Sequence, residues 1–306
     1  MIDKPVGPTS HDVVARVRRA IRERRIGHTG TLDPAASGVL PLVIGRATRL
    51  ARFLSAGEKR YDACIRLGLV TDTGDAAGSP IGAPYSGALP SRDAIESALE
   101  PFRGTFLQQP PVYSAKMIGG HRSYDLARRS RRQKPGDGSR SETEPTPVPQ
   151  PATVTAHAIE LMSVQGDRVS VRVLCSAGFY LRSLAHDLGE RLGTGAHLLE
   201  LRRTGSGGFG LESATPLDTA ERQPDQARAA IVPLARMLTD LASVTLTPQG
   251  AKHATHGRVL RRSDFTTDLG QGPPPWIRLL DQEGDLVGLA RPSHESGALH
   301  PSVVLR

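Results

Sequence analysis

A single carboxylate stands out between residues 27 and 50, in the stretch GHTGTLDPAASGVLPLVIGRATRL. Asp33 lies there in an otherwise uncharged loop, directly before Pro34, which fixes the backbone after the acid. Gly30 and Gly38 allow conformations that other residues avoid, so the loop can hold one defined shape. Such a loop can aim a carboxylate for use as a nucleophile or a base. The alternative is an Asx turn, in which Asp33 bonds only its own backbone.

The sequence before and after this loop shows the apolar periodicity of helices and strands. Residues 10–25 have the apolar spacing of an amphipathic helix with Thr9 or Ser10 as N-cap, and the opposite face is strongly basic. Residues 61–69 alternate as in a half-buried strand, with Tyr61 on the apolar side. Further predicted elements are helices at 91–100, 123–129 and 180–192, extended chain at 105–117, two strands within 154–175 and one around 197–203. This mixture implies an α+β domain.

Two later regions differ from this pattern. Residues 130–151 are rich in Pro, Gly, Ser and charge, which predicts an exposed insertion without regular structure. From residue 243 onward come short strands and turns, including WIRLLDQEGDLVGLA, in which EG marks a turn between two alternating runs. That region predicts a small β-rich domain.

The charge balance is compatible with a polyanionic partner. The chain has 39 Lys and Arg against 31 Asp and Glu, a formal net charge of +8 and a pI near 10. Phosphates attract such a surface over long range, so RNA is the natural candidate. Because GC-rich codon usage would also enrich arginine, the composition does not by itself establish RNA binding.

Cysteine usage and hydropathy exclude several classes of protein. Cys64 and Cys175 are far apart and form no CxxC pattern, so neither a disulfide framework nor a zinc site is expected. The first residues lack a signal-peptide pattern, and the apolar runs are too short to span a bilayer. We expect a soluble cytoplasmic protein that does not associate with membranes.

Several segments together resemble one family. HTGTLDPAASGVLPLVIGRATRL is similar to the catalytic loop of the bacterial tRNA pseudouridine synthases of the TruB type. DKPVGPTSHDVV, EKRYDACIRLGLVTDTGDAAG, PPVYSAKMIGGHRSYDLAR and GFYLRSLAHDLGERLGTGAHLLELRRTGSGGF resemble its other motifs in the same order. The matches extend from about Asp3 to Phe209, with one internal interruption.

The resemblance implies a pseudouridine synthase fold, with a mixed, largely antiparallel sheet flanked by helices. The catalytic domain would comprise residues 1–242, and residues 243–306 would form a small PUA-like RNA-binding domain. The implied activity is isomerisation of uridine to pseudouridine at position 55 in the T arm of tRNA. This reaction requires no metal, redox cofactor or ATP, and the family type implies a monomer without an obligate protein partner.

The same resemblance assigns roles to particular residues. Asp33 would be the nucleophile or base, and Arg182 would keep it charged, since burial alone raises the pKa of a carboxyl. Tyr61 would stack on the flipped uracil and help to remove the C5 proton, and Tyr180 would order Asp33 and the sugar. The remaining residues implied in RNA or substrate binding are His28, Leu201, Lys4 and Tyr113. Each of these residues also has an ordinary structural interpretation, such as core packing or a solvated surface side chain.

Two other functions remain open from the sequence. The first is a catalytically silent RNA-binding or tRNA-folding protein on the same scaffold. The second is a guide-dependent synthase that needs protein and RNA partners. The RNA-facing segments resemble the bacterial type, which acts alone.

Overall fold

The computed structural model describes residues 1–114, 116–119, 121–123, 148–267, 274–295 and 297–305. The helix predicted at 123–129 and most of the insertion predicted at 130–151 lie outside the described residues. The strands are β1 (Ile2–Lys4), β2 (Ile26–His28), β3 (Ala36–Leu40), β4 (Leu42–Ile44), β5 (Lys59–Leu67), β6 (Val70–Thr71), β7 (Pro80–Ile81), β8 (Gly104–Gln108), β9 (Met117–Ile118), β10 (His121–Arg122), β11 (Ala152–Gln165), β12 (Arg168–Cys175), β13 (Ala196–Ser206), β14 (Phe209–Gly210), β15 (Thr215–Pro216), β16 (Ser243–Thr245), β17 (Ile277–Leu280), β18 (Leu286–Pro292) and β19 (Leu299–Val304).

The α-helices are α1 (Ser10–Ile21), α2 (Ala51–Ser55), α3 (Arg92–Leu99), α4 (Leu181–Leu192), α5 (Leu217–Arg222), α6 (Pro224–Ala229) and α7 (Pro248–Thr255). Short 3₁₀ helices cover Gly45–Leu50, Glu100–Phe102, Leu211–Ser213, Leu234–Arg236 and Arg262–Asp264. In the described parts of the chain, no helix has the length and apolar character needed to cross a bilayer.

A nine-stranded mixed sheet carries the larger part of the molecule. Its order is β15-β1-β3-β13-β5-β12-β11-β8, with β14 paired to β13. The β1–β15 and β3–β13 pairings are parallel and the others are antiparallel. Strand β5 lies near the centre, and its alternate residues Tyr61, Ala63, Ile65 and Leu67 are buried, as their period predicts.

Helix α1 begins where the sequence predicts and ends earlier. Thr9 accepts a hydrogen bond from the Asp12 backbone, and the Asp12 carboxylate accepts one from Thr9, which forms a capping box. The predicted end at residue 25 is wrong, because Arg22 adopts the left-handed conformation at φ 53° and the chain turns into β2. Part of the basic face is used internally, since Arg16 pairs with Glu221.

The C-terminal strands form a second sheet in the order β16-β17-β18-β19. The hairpin predicted around EG is present as β17 and β18, and a separate apolar cluster lies beneath the sheet. A further cluster is shared between the two parts, with Val43 and Leu50 from one and Leu289 and Val303 from the other. The large sheet, its helices and this small β-rich unit agree with the predicted fold class.

Candidate active site

The loop that carries Asp33 connects β2 to β3 and is held by backbone contacts on both sides. The Ala36 amide donates to the Asp33 carbonyl at 3.0 Å, and the Gly7 amide donates to the Pro34 carbonyl at 2.8 Å. Gly38 has φ +105°, and a Cβ there would lie 2.1 Å from the Arg203 carbonyl oxygen. The glycine is therefore required by the close approach of β3 to β13.

The Asp33 carboxylate forms an ion pair with Arg182 from the first turn of α4. Nε of Arg182 lies 2.9 Å from Oδ2 of Asp33; the arginine side chain is 5% exposed and the carboxylate 36%. The remaining guanidinium nitrogens donate to the carbonyls of Thr73 at 3.1 Å and Tyr113 at 2.7 Å. A buried cation that is bonded through all three of its nitrogens is thus paired with a partly exposed carboxylate.

A second carboxylate approaches the same arginine from another loop. Oδ2 of Asp75 lies 4.0 Å from Nε of Arg182, and its Oδ1 accepts from the Thr73 hydroxyl at 2.6 Å and the Ala77 amide at 3.1 Å. Asp75 was not among the residues predicted for the site. The sequence feature that could have indicated Asp75 is DTGDAAG, the end of the family-like segment EKRYDACIRLGLVTDTGDAAG.

Two tyrosines lie close enough to Asp33 to respond to its charge. Burial raises the pKa of the Tyr61 phenol, and Asp33 adds to this rise while Arg203 opposes it. Burial also raises the pKa of Tyr180, again with a contribution from Asp33. Both phenols are therefore neutral near pH 7. A neutral phenol such as that of Tyr61 can stack or donate a proton, whereas a base would have to be ionised before the substrate reacts.

Gln108 at the end of β8 fixes the backbone of Tyr180. Its side-chain amide nitrogen donates to the Tyr180 carbonyl at 3.1 Å, and its amide oxygen accepts from the Tyr180 backbone at 2.8 Å. Tyr180 is the N-cap of α4 and makes no side-chain capping bond. The glutamine therefore fixes the start of the helix that carries Arg182.

Three buried cations lie beneath the loop and bond mainly to backbone carbonyls. Arg203 is 1% exposed and donates to Val39 at 2.7 Å, Gly30 at 3.1 Å and Thr31 at 3.4 Å. Lys4 and Lys59 are also buried, and desolvation lowers the pKa of each to about 8. Neither Lys59 nor Arg203 was among the candidate residues, because a basic residue in a strand is normally exposed.

Lys4 occupies a different environment from an exposed strand end. Its Nζ donates to the carbonyls of Pro5 at 2.8 Å and Pro34 at 3.4 Å, and the side chain is fully buried. This placement favours support of the Asp33 loop over contact with an RNA phosphate.

The other predicted residues make contacts of three different kinds. His28 is half-buried and packs edge-to-face on His11, with 5.5 Å between ring centroids. Leu201 is half-buried in β13, paired with Ala36 in β3. Tyr113 enters the site through its carbonyl, which accepts from Arg182.

One group of acids in the described residues has a spacing that could suit a metal ion. Asp281, Glu283 and Asp285 lie on the turn between β17 and β18, and two of the three are exposed. They belong to a hairpin turn of the C-terminal sheet, whereas Asp33 lies in the loop between β2 and β3.

Two family models match consecutive parts of the chain. The model described as TruB family pseudouridylate synthase (N terminal domain) matches residues 18–181. The model described as tRNA pseudouridylate synthase B C-terminal domain matches residues 182–240. The first match contains Asp33, Tyr61 and Tyr180, and the second begins at Arg182.

Curated proteins named tRNA pseudouridine synthase B are similar over nearly the whole chain. The protein of Solibacter usitatus is 40% identical over 307 residues, covering 100% of this chain and 98% of its own length. That of Synechococcus elongatus is 41% identical, covering 99% and 96%. That of Burkholderia pseudomallei is 37% identical, covering 98% and 94%.

Solved structures of related complexes share the fold. A chain of an H/ACA RNP bound to a substrate RNA containing 2′-deoxyuridine superposes with a TM-score of 0.70 at 26% identity, covering 100% of this chain and 84% of that one. A chain of a Cbf5-Nop10-Gar1 complex gives 0.68 at 27% identity, with the same coverage.

Proposed function

The chain belongs to the TruB family of pseudouridine synthases and isomerises uridine in tRNA, and we propose that it acts on uridine 55 of the T arm with Asp33 as its catalytic carboxylate. The observation that carries the proposal is the 2.9 Å ion pair between Asp33 and the buried Arg182. It supplies an oriented, partly exposed carboxylate beside a buried cation, which is the group this chemistry needs.

The reaction is an isomerisation in which all atoms are retained except one exchanged hydrogen. The bond between ribose C1′ and uracil N1 breaks, the base turns, and a bond forms from C1′ to C5. The C5 proton then leaves, and N1 gains a proton. A single carboxylate can attack the sugar or the base, or remove a sugar proton to give a glycal. Glycoside hydrolysis differs, because it uses a pair of carboxyl groups and transfers the sugar to water.

The surrounding residues have distinct proposed roles. Arg182 stabilises the charge of Asp33, Tyr61 stacks on the flipped uracil, and Tyr180 orders the sugar. Lys4 supports the catalytic loop from below. His28, Leu201 and Tyr113 contact the nucleotide or the RNA next to it. Burial of the two active-site tyrosines and the fixed N-cap of α4 support this assignment.

We also propose that the protein acts alone, as a cytoplasmic monomer without a cofactor. The whole-length similarity to proteins named tRNA pseudouridine synthase B supports this. The solved structural relatives are ribonucleoprotein complexes, which keeps a guide-dependent synthase as the alternative. Activity of the purified chain on a bare tRNA transcript would exclude that alternative.

The decisive experiment is release of tritium from C5-labelled uridine in a tRNA transcript. We expect the wild type to release one tritium per tRNA and Asp33→Asn to release none while it still binds tRNA. Asp93→Asn, an exposed aspartate at the start of α3, is the matched control and should behave as the wild type. Equal release by wild type and Asp33→Asn would remove the mechanism, and release by neither would favour the catalytically silent RNA-binding protein.

A further inference from the structure

A basic and aromatic cluster lies where the large sheet's helices meet the C-terminal sheet. We infer that Arg52 and Arg291, both stacked on the indole of Trp276, bind the phosphate backbone of the tRNA substrate outside the active site. The inference rests on the proposed function only in taking tRNA as the partner, because it uses none of the proposed catalytic residues.

Trp276 is contacted from two directions. Phe53 of α2 packs edge-to-face against it, with 4.7 Å between ring centroids, and the Arg52 guanidinium carbon lies 5.1 Å from the indole centroid. The Arg291 guanidinium carbon of β18 lies 4.1 Å from the same ring. One tryptophan therefore carries two guanidinium groups that come from different parts of the fold.

Packing fixes this arrangement. Ile277 pairs with Ala290, so Trp276 and Arg291, one residue further out on each strand, are cross-strand neighbours. Phe53 and Trp276 also pack against the apolar cluster shared by the two parts of the molecule. The ring that supports both arginines is therefore held from both sides.

The two arginines are exposed and, among the residues that the structure describes, neither is paired with a carboxylate. Arg16 and Arg103, in contrast, are paired with glutamates. A guanidinium stacked on a ring keeps its N–H edge directed outward and loses little freedom when it forms forked bonds to a phosphate. In a protein of net charge +8, two such groups side by side suit a phosphate chain.

The cluster is connected to the active site by a short, fixed segment. Helix α2 leads directly into β5, whose third residue is Tyr61. Along this segment, Lys59 Nζ donates to the carbonyls of Ser55 and Gly57 at 3.2 and 2.6 Å. One short segment of chain therefore joins Arg52 to Tyr61, the residue proposed to stack on the uracil.

Salt-dependent tRNA binding tests the inference. We would measure the Kd of wild type, Arg52→Gln, Arg291→Gln and the double variant for a tRNA transcript between 50 and 200 mM salt. Each lost phosphate contact should reduce the slope of log K against log salt by about 0.7–0.9, so the affinity lost over this range shrinks by about threefold per arginine. Trp276 is the single tryptophan, and its emission should change when tRNA binds to the wild type.

Arg168→Gln is the matched control. Arg168 is exposed and pairs with Arg66 in the sheet, whereas Cys175 of the same strand pairs with Lys59. The seven residue steps from Arg168 to Cys175 along β12 place it about 23 Å from the α2 end of the sheet at 3.3 Å per residue. Its slope should equal that of the wild type.

The outcomes are distinct. If Arg52→Gln and Arg291→Gln have the same slope of log K against log salt as the wild type, the inference is overturned. A fall in Tm and a shift of Trp276 emission with unchanged slopes would overturn it too, because they would show that the stacked arginines have only a structural role. Because the measurement is of binding, reduced slopes would uphold it even if the wild type released no tritium. The inference about Arg52 and Arg291 can therefore fail, or hold, independently of the proposed function.

Discussion

Arg182 faces two carboxylates and two backbone carbonyls at once, which makes its guanidinium difficult to replace. Its Nε pairs with Asp33, and its terminal nitrogens reach Thr73 and Tyr113. A lysine carries the same charge as a single point and cannot serve these directions together. The positive charge alone is therefore not sufficient at this position.

We expect Arg182→Lys to lower the single-turnover rate of tritium release about 100-fold, because a small misplacement of the carboxylate is costly. The Kd for tRNA should change much less than the rate. Arg66→Lys is the control, since Arg66 makes an exposed pair with Asp167 at 2.8 Å. A variant Arg182→Lys as fast as the wild type would show that orientation of Asp33 does not depend on the guanidinium.

Lys59 makes stability depend on pH in the alkaline range. Burial lowers its pKa from 10.5 to about 8, so between these values the unfolded chain binds more protons than the folded one. Stability from this group therefore rises with pH across that window, by about 1.5 kcal/mol between pH 8 and 9.5. We would measure urea unfolding of the wild type and Lys59→Met at pH 8 and 9.5. The free energy of unfolding of the wild type, relative to that of Lys59→Met, should increase by this amount. A constant difference between the two proteins would contradict the buried, charged lysine.

At the residue scale, motif chemistry was visible in the sequence and burial was not. Asp33 could be singled out because glycine and proline flank it in an uncharged loop. Arg203 could not, since a strand arginine is usually exposed and its carbonyl partners are more than 160 residues away in the chain. Asp75 was missed because it lies in a different segment from Asp33, and only the fold shows that both carboxylates approach Arg182.

At the scale of elements, the contact between β3 and β13 determines where the loop that carries Asp33 lies. These parallel strands meet at Gly38, where the Arg203 carbonyl occupies the space of a side chain. The loop that carries Asp33 enters β3 immediately before this point. Any widening of the contact would move Asp33 relative to Arg182.

We expect Gly38→Ala to cost about 3 kcal/mol or more, combining an unfavourable positive φ with overpacking. Gly45→Ala is the matched control, since Gly45 also has positive φ (+58°) and nothing lies within 4 Å of the added carbon. Its cost should be about 1 kcal/mol. Urea denaturation of both variants measures the difference, and equal costs would refute the steric argument.

Elements with strong local signals were predicted well. The alternation in β5 and the turn between β11 and β12 gave strands close to those observed. The end of α1 was wrong because Arg22, a residue with good helix propensity, takes a left-handed conformation. Local propensity cannot report a boundary imposed by the strand that follows.

At the scale of the whole molecule, one apolar cluster contains residues from both parts, the segment β4 to α2 on one side and the C-terminal sheet on the other. Leu50 and Val43 pack there with Leu289 and Leu305, and Trp276 lies at its edge. Because each part buries surface of the other, neither can lose this cluster without exposing apolar area. The two parts should therefore unfold as one unit.

Leu50→Ala tests this expectation. Removing this fully buried side chain should cost about 2–5 kcal/mol and lower the urea midpoints seen by far-UV circular dichroism and by Trp276 fluorescence equally. The fluorescence reports the C-terminal side, although Leu50 belongs to the other part. A fluorescence midpoint that stayed at the wild-type value would show two independent units.

The arrangement at this scale was accessible through resemblance and not through periodicity. The strand order β15-β1-β3-β13-β5 joins segments that are distant in sequence, and nothing in the alternation of β1 or β3 indicates their neighbours. Strand patterns predicted the existence of the sheet, while pairing depends on contacts that form only in the folded chain.

Gln108 has a consequence for redesign. The outermost strand of a sheet is ordinarily expected to tolerate deletion, grafting or substitution of residues with little loss of stability. In the strand order of the described sheet β8 is outermost, yet its last residue clamps both backbone groups of Tyr180. Substitutions made in β8 to improve solubility would therefore change the geometry of the candidate active site.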